Sequence, residues 1–142
     1  MYHSKGGKGA KHLRYTKEHE WALYENGVVV VGITDYAEHE LGDIVYLELP
    51  KVGAVIDKGK SFGVVESVKA VSEIYMPVGG EIIKVNEALR SSPEIINKDP
   101  YDAGWLIHLK PQKPEEIETL LSQKQYEEWV CHKDLGCGKS KL

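Results

Sequence analysis

The feature that most constrains the fold is how short the apolar runs are and how regularly they are broken. Val28 to Ile33, Ile44 to Leu49, Ala54 to Ile56, Phe62 to Val65, Ile74 to Met76, Glu81 to Val85 and Trp105 to Leu109 are all of strand length. Asn26-Gly27, Gly42, Pro50, Gly53, Gly59 and the Pro77, Gly79, Gly80 group punctuate them. Glycine, proline and asparagine between short β-branched runs mark turns between strands. No run approaches the length of a membrane-spanning helix. The pattern predicts a mainly β chain folded as a small sandwich or flattened barrel, with helices at its edges.

Asn26-Gly27 predicts a two-residue hairpin. Thr34 is placed to cap a short helix through Leu41, and Gly42 to stop it. Ile44 to Leu49 reads as an alternating strand, with Ile44, Tyr46 and Glu48 on one side and Val45, Leu47 and Leu49 on the other. Ser92-Pro93-Glu94 is a helix-start pattern ending near Asn97. Pro114 opens a helical segment carrying Ile117, Leu120 and Leu121. Ser122 and Gln125 match a capping box for a last helix bearing Tyr126, Trp129 and Val130.

Length and charge narrow the function. A chain of 142 residues is one domain on size alone. Its net charge of −4 gives it no general attraction for nucleic acid. The residues divide into a basic, glycine-rich flexible arm over 1–13, a single domain over 14–130 and a loose tail over 131–142. Met1 to Arg14 lacks the apolar stretch of a secretory signal. Cys131 and Cys137 have no companion pair, and two free thiols are expected; His132 beside Cys131 is a weak metal motif. Asp35, His39 and Asp43 read as a capped surface helix rather than a metal site. The closing Ser140-Lys141-Leu142 matches a peroxisomal address and is treated as accidental.

The segment Glu66-Ser67-Val68-Lys69-Ala70-Val71-Ser72-Glu73 carries the strongest chemical signal. Strand-forming residues lie on both sides, so a tight turn lifts Lys69 clear of the body. A lysine there has a flexible stem and a solvated amine. It suits a tethered prosthetic group better than an active site.

Five ordered blocks resemble one family. They are His19-Glu20-Trp21; Gly32 to Ala37 with Leu41 to Val45 and Glu48-Leu49-Pro50; Glu66 to Glu73; Pro77 to Glu81 with Asn86-Glu87; and Asn97, Asp99-Pro100-Tyr101 and Gly104-Trp105. Together they span about residues 14–110 and resemble the H protein of the glycine cleavage system. The resemblance implies a lipoyl-domain fold (a barrel-sandwich hybrid): a flattened β-barrel of two small antiparallel sheets with short helices and a helical C-terminal extension. It implies lipoic acid in amide linkage on Lys69, and a non-catalytic carrier that shuttles an aminomethyl group. The implied partners are a pyridoxal-phosphate glycine decarboxylase, a tetrahydrofolate-dependent aminomethyltransferase, dihydrolipoamide dehydrogenase and the lipoylating enzymes, with a monomer as the working unit. By position, Glu18, Glu20 and Glu73 would line the cleft that shelters the loaded arm. Many family members have an aspartate where this chain has Glu73, and some have a serine where it has Glu18. Glu66 and Glu73 would mark the hairpin for lipoylation. The compartment implied is a bacterial cytoplasm, with the mitochondrial matrix as the eukaryotic equivalent.

Three rivals share parts of this pattern. A biotin carrier would have methionines beside its lysine, where this chain has Val68 and Ala70. An H-like lipoyl carrier could serve sulfur oxidation or lipoyl transfer to other enzymes. A scaffold would leave Lys69 unmodified.

Overall fold

The structure, a computed structural model, describes residues 12–133. Almost all of the expected basic arm, and the tail from residue 134 onward, lie outside the described residues. So do Cys137 and the Ser140-Lys141-Leu142 end.

Among the described residues, nine strands form two antiparallel sheets. β1 (Arg14–Tyr15), β2 (Glu20–Glu25), β3 (Val28–Ile33), β5 (Val55–Ile56), β8 (Gly80–Val85) and β9 (Ile107–Pro111) build a six-stranded sheet in the order β1-β2-β3-β9-β8-β5. β4 (Ile44–Glu48), β6 (Ser61–Ser67) and β7 (Val71–Tyr75) build a three-stranded sheet in the order β4-β6-β7. Among the described residues neither sheet closes on itself. Their facing sides share one core, with Val31 and Leu109 from the large sheet meeting Leu47, Val65 and Ile74 from the small one. This is the mainly β, two-sheet architecture that the residue pattern predicts.

The local signals account for the joints. Asn26 and Gly27 take φ values of 52° and 79°, both in the left-handed region that a two-residue hairpin needs. Helix α1 (Asp35–Leu41) begins at Thr34, whose hydroxyl accepts the Ala37 N–H, and ends at Gly42 with φ 80°. Ser122 and Gln125 form the reciprocal capping box. Helices α2 (Ala88–Ser91) and α3 (Ile95–Lys98) are single turns, and a 3-10 helix spans Pro114–Thr119.

Three expectations need correction. The alternation assigned to Ile44–Leu49 breaks, because a register shift between Ile44 and Tyr46 inserts a bulge. Ile44 and Leu47 are both buried, while Val45 and Tyr46 both face solvent. Helix α2 has no counterpart in the sequence reading, and α3 begins after Ser92-Pro93-Glu94 without a side-chain cap. The last helix, α4 (Gln123–Lys133), runs through Cys131, which is disulfide-bonded rather than a free thiol.

Helix α4 packs Tyr126 and Val130 against Tyr15 and Trp21 in a second apolar cluster. The Tyr126 hydroxyl lies 2.8 Å from Nδ1 of His19 and 2.8 Å from Oγ1 of buried Thr34. His19 has φ 76°, so this contact holds a strained turn in place. Tyr126→Phe is expected to cost about 1–3 kcal/mol, because it strips partners from groups that water reaches poorly. Urea unfolding of the two proteins measures that difference.

Candidate functional site

The Lys69 turn is rigid although its lysine is not enclosed. The N–H of Ser67 donates to the Ala70 carbonyl at 2.8 Å. Oγ of Ser67 accepts the N–H of Ala70 at 3.0 Å and of Lys69 at 3.3 Å. Val68 N–H donates to the carbonyl of Asp43 at 3.0 Å, tying the turn to the start of β4. The Gly42–Ile44 loop is itself pinned by Asn97. Its Oδ1 accepts Ile44 N–H at 2.9 Å, and its Nδ2 donates to the Gly42 carbonyl at 2.8 Å and to Glu38 at 3.0 Å. Lys69 is exposed, and its amine has no hydrogen-bond or ion-pair partner among the described residues. The expected hairpin tip is therefore present. A solvent-facing primary amine on a fixed turn fits an amide-linked prosthetic group.

Glu18 and Glu20 lie elsewhere, on a cleft of about 440 Å³. Its walls are the Thr16–Glu20 turn, the end of β7 at Tyr75 and Met76, and Leu120 beyond the 3-10 helix. Glu20 is only 2% exposed. One carboxyl oxygen accepts the Thr16 hydroxyl at 2.5 Å, and the other accepts the Tyr75 N–H at 3.0 Å. The Glu20 carboxyl thus bridges the two sheets at the β7 edge. Burial pushes its pKa up to about 7, and the nearby Glu18 carboxylate adds to the rise; the two hydrogen bonds oppose it. Two cations flank the opening. Lys17 stacks its ammonium 4.8 Å over the Trp129 ring, and Lys58 donates to the Pro77 carbonyl at 3.0 Å. The cleft therefore combines one buried, proton-exchanging carboxyl with an exposed one.

Glu66 and Glu73 belong to the small sheet. Glu66 pairs with Tyr46 on one side and Val71 on the other, and Glu73 pairs with Val64. Glu73 is exposed and is not among the residues that line the cleft. Asp35 serves the fold: its carboxylate accepts the Tyr101 hydroxyl at 2.8 Å.

Thr16, Ser67, Asn97 and the Tyr75 N–H support the site without having been singled out for these contacts. Ser67 has a local signal, a hydroxyl just before a turn. The bonds of Asn97 and Tyr75 join residues more than fifty positions apart.

The family model described as Glycine cleavage H-protein matches residues 13–133 of this chain. A glycine cleavage system H protein of Thermus thermophilus is 55% identical, over 80% of this chain and 89% of its own length. One from Anaeromyxobacter sp. (strain K) is 52% identical, over 83% of this chain and 92% of its own. A crystal structure of a glycine cleavage system H protein from Mycobacterium marinum superimposes with a TM-score of 0.76 at 38% identity, covering 85% of this chain and 95% of that one.

Proposed function

This chain belongs to the glycine cleavage H-protein family, and we propose that it carries lipoic acid on Lys69 and shuttles an aminomethyl group between the enzymes of that system. The observation that carries the proposal is the exposed Lys69 amine, without a partner among the described residues, on a turn fixed by Ser67, Asp43 and, behind it, Asn97. The lipoyl group would supply a disulfide that opens to take the aminomethyl group on one sulfur and is restored by oxidation of the dithiol.

The protein's part is tethering and shelter. Lys69 holds the group on one molecule, so successive enzymes meet it at high effective concentration. Glycine decarboxylase loads it, aminomethyltransferase unloads it to tetrahydrofolate, and dihydrolipoamide dehydrogenase reoxidises it. The compartment for these transfers is the bacterial cytoplasm. Glu20, with Glu18 at the rim, receives the amine of the cargo in the cleft. An arriving ammonium favours the carboxylate form of Glu20, so its proton is released as the cation binds. Cargo shelter therefore improves as pH rises through about 7, where the Glu20 carboxyl ionises. No residue of the cleft has to perform a catalytic step.

Reconstitution with purified glycine decarboxylase tests the function. The lipoylated protein is expected to support glycine-dependent exchange of carbon dioxide, and the unlipoylated protein to support none. A lipoylated protein that supports no exchange, while an authentic H protein does so in the same assay, would assign it to another lipoyl pathway.

A further inference from the structure

The cleft that holds Glu18 and Glu20 is lined by two acids and two bases. Its charge-bearing side chains are Lys17, Glu18, Glu20 and Lys58, and Tyr15 and Tyr75 are the other titratable groups there. Lys17 precedes Glu18 in the chain and is exposed beside it, so it is placed to close on one of the carboxylates. It does not. Among the described residues, Lys17 and Lys58 make no ion pair, and the Glu18 carboxylate has no partner. The charge that acts on Glu20 is that of Glu18, and neither lysine counters it.

Both cations are held on neutral groups instead. The Trp129 indole grips Lys17 twice. Its Nε1–H donates to the Lys17 carbonyl at 3.2 Å, and its ring lies under the Lys17 ammonium, 4.8 Å from the centroid. An aromatic face attracts a cation through its quadrupole without spending a carboxylate. Lys58 donates to the Pro77 carbonyl at 3.0 Å and to Oγ1 of Thr119 at 3.3 Å. The Thr119 hydroxyl is turned to accept, since it gives its own proton to the Glu116 carbonyl at 2.6 Å. Trp129 lies on α4 and Thr119 ends the 3-10 helix, so each lysine is held by an element of the C-terminal extension.

We propose that Trp129 is a positioning residue of the cleft: it holds the Lys17 ammonium off Glu18 and Glu20, and so keeps these carboxylates open to a cation that is not part of the chain's own side chains. The inference rests on the carrier reading, in which that cation is the amine of the cargo. The physical need is competition. An ammonium on the neighbouring residue reaches Glu18 at the effective concentration of a short tether, on the order of millimolar. A Lys17 released from the ring would fill the site first, and the cargo would have to displace it. The same lysine would favour the ionised form of Glu20. Trp129 does not itself line the cleft, so its effect passes through Lys17.

Titration of Glu20 in the full-length unmodified chain, followed by NMR of isotope-labelled carboxyl carbons, tests this. The wild-type midpoint is about 7. Trp129→Leu is expected to lower it by about 0.5, an about threefold change in proton affinity, as the freed Lys17 pairs with the carboxylates. Trp129→Phe keeps a ring under the ammonium and should stay near the wild type. Lys17→Met should leave the midpoint in place, and Trp129→Leu/Lys17→Met should restore it, which a purely structural loss at Trp129 would not do. On the lipoylated protein loaded by glycine decarboxylase, Trp129→Leu should shorten the life of the aminomethyl adduct about threefold, read by intact mass, and the double variant should recover it. An unmoved midpoint or adduct life in Trp129→Leu, with thermal unfolding showing the fold intact, would overturn the proposal and leave the carrier reading standing. Failure of the double variant to recover either readout would overturn it as well. So would a raised midpoint in Lys17→Met, which would mean that Lys17 already pairs with the cleft; this exchange at an exposed position does not depend on how Trp129→Leu folds. A wild type that takes no lipoyl group would overturn the carrier reading and this one together.

Discussion

Replacing Lys69 by arginine is expected to abolish lipoyl incorporation and glycine-dependent carbon dioxide exchange while leaving the fold unchanged. The guanidinium keeps its positive charge at any working pH, so it offers no free amine for an amide bond. Nothing in the fold depends on the lysine head group, since Lys69 is exposed and its amine lacks a partner among the described residues. The turn is held by Ser67 and by the Val68 N–H on Asp43, and arginine disturbs neither. A surface exchange of this kind shifts stability by about 0.5 kcal/mol or less. Measured together, activity and thermal unfolding should separate completely: all activity lost, the transition unmoved. Retained activity in the arginine variant would remove every carrier reading at once.

A second large effect concerns Glu20 and pH. Its pKa rises from the ordinary 4.5 to about 7 in the folded protein, mainly through burial. Between those values the folded chain binds a proton that the unfolded chain has released. Its contribution to stability is therefore fully present below pH 4.5 and is lost as pH rises through about 7. The shift corresponds to about 3 kcal/mol. Glu20→Gln removes the titration and keeps one oxygen to accept the Tyr75 N–H. Urea unfolding from pH 4 to 8 should show the wild type losing ground to the variant by that order as pH rises. Other carboxylates titrate in both proteins and cancel in the difference. Parallel curves would mean that Glu20 ionises as an exposed carboxylate does. Under the proposed function, the anion left in the cleft as Glu20 ionises is the group that a bound ammonium would pair with.

The parts of the fold that were legible in the sequence are those whose physics is local. Asn26-Gly27, the Thr34 and Gly42 ends of α1, and the Ser122–Gln125 box each act within a few residues. The Lys69 hairpin was legible for the same reason. The bulge at Val45 was not, since Ile44-Val45-Tyr46-Leu47 is a continuous apolar run in which no residue type marks the inward face. Only the pairing of β4 with β6 decides that Ile44 and Leu47 both turn inward. Asn97 looked like a helix terminus, yet its side chain anchors a loop more than fifty residues earlier in the chain. The burial of Glu20 and its bond to Tyr75 exist only once the two sheets meet. Glu73 was grouped with Glu18 and Glu20 by position, whereas the ladder sets it on the outer face with Glu66 and Glu48. Cys131 shows the converse limit: composition alone favoured a free thiol, and the structure has it in a disulfide.

The most direct measurement of the carrier role is the intact mass of the protein made in a host competent for lipoylation and supplied with lipoate, followed by peptide mapping. One lipoyl adduct is predicted, on the peptide that contains Lys69. A mass equal to the bare chain, under conditions where a known lipoyl domain is fully modified, would contradict that role.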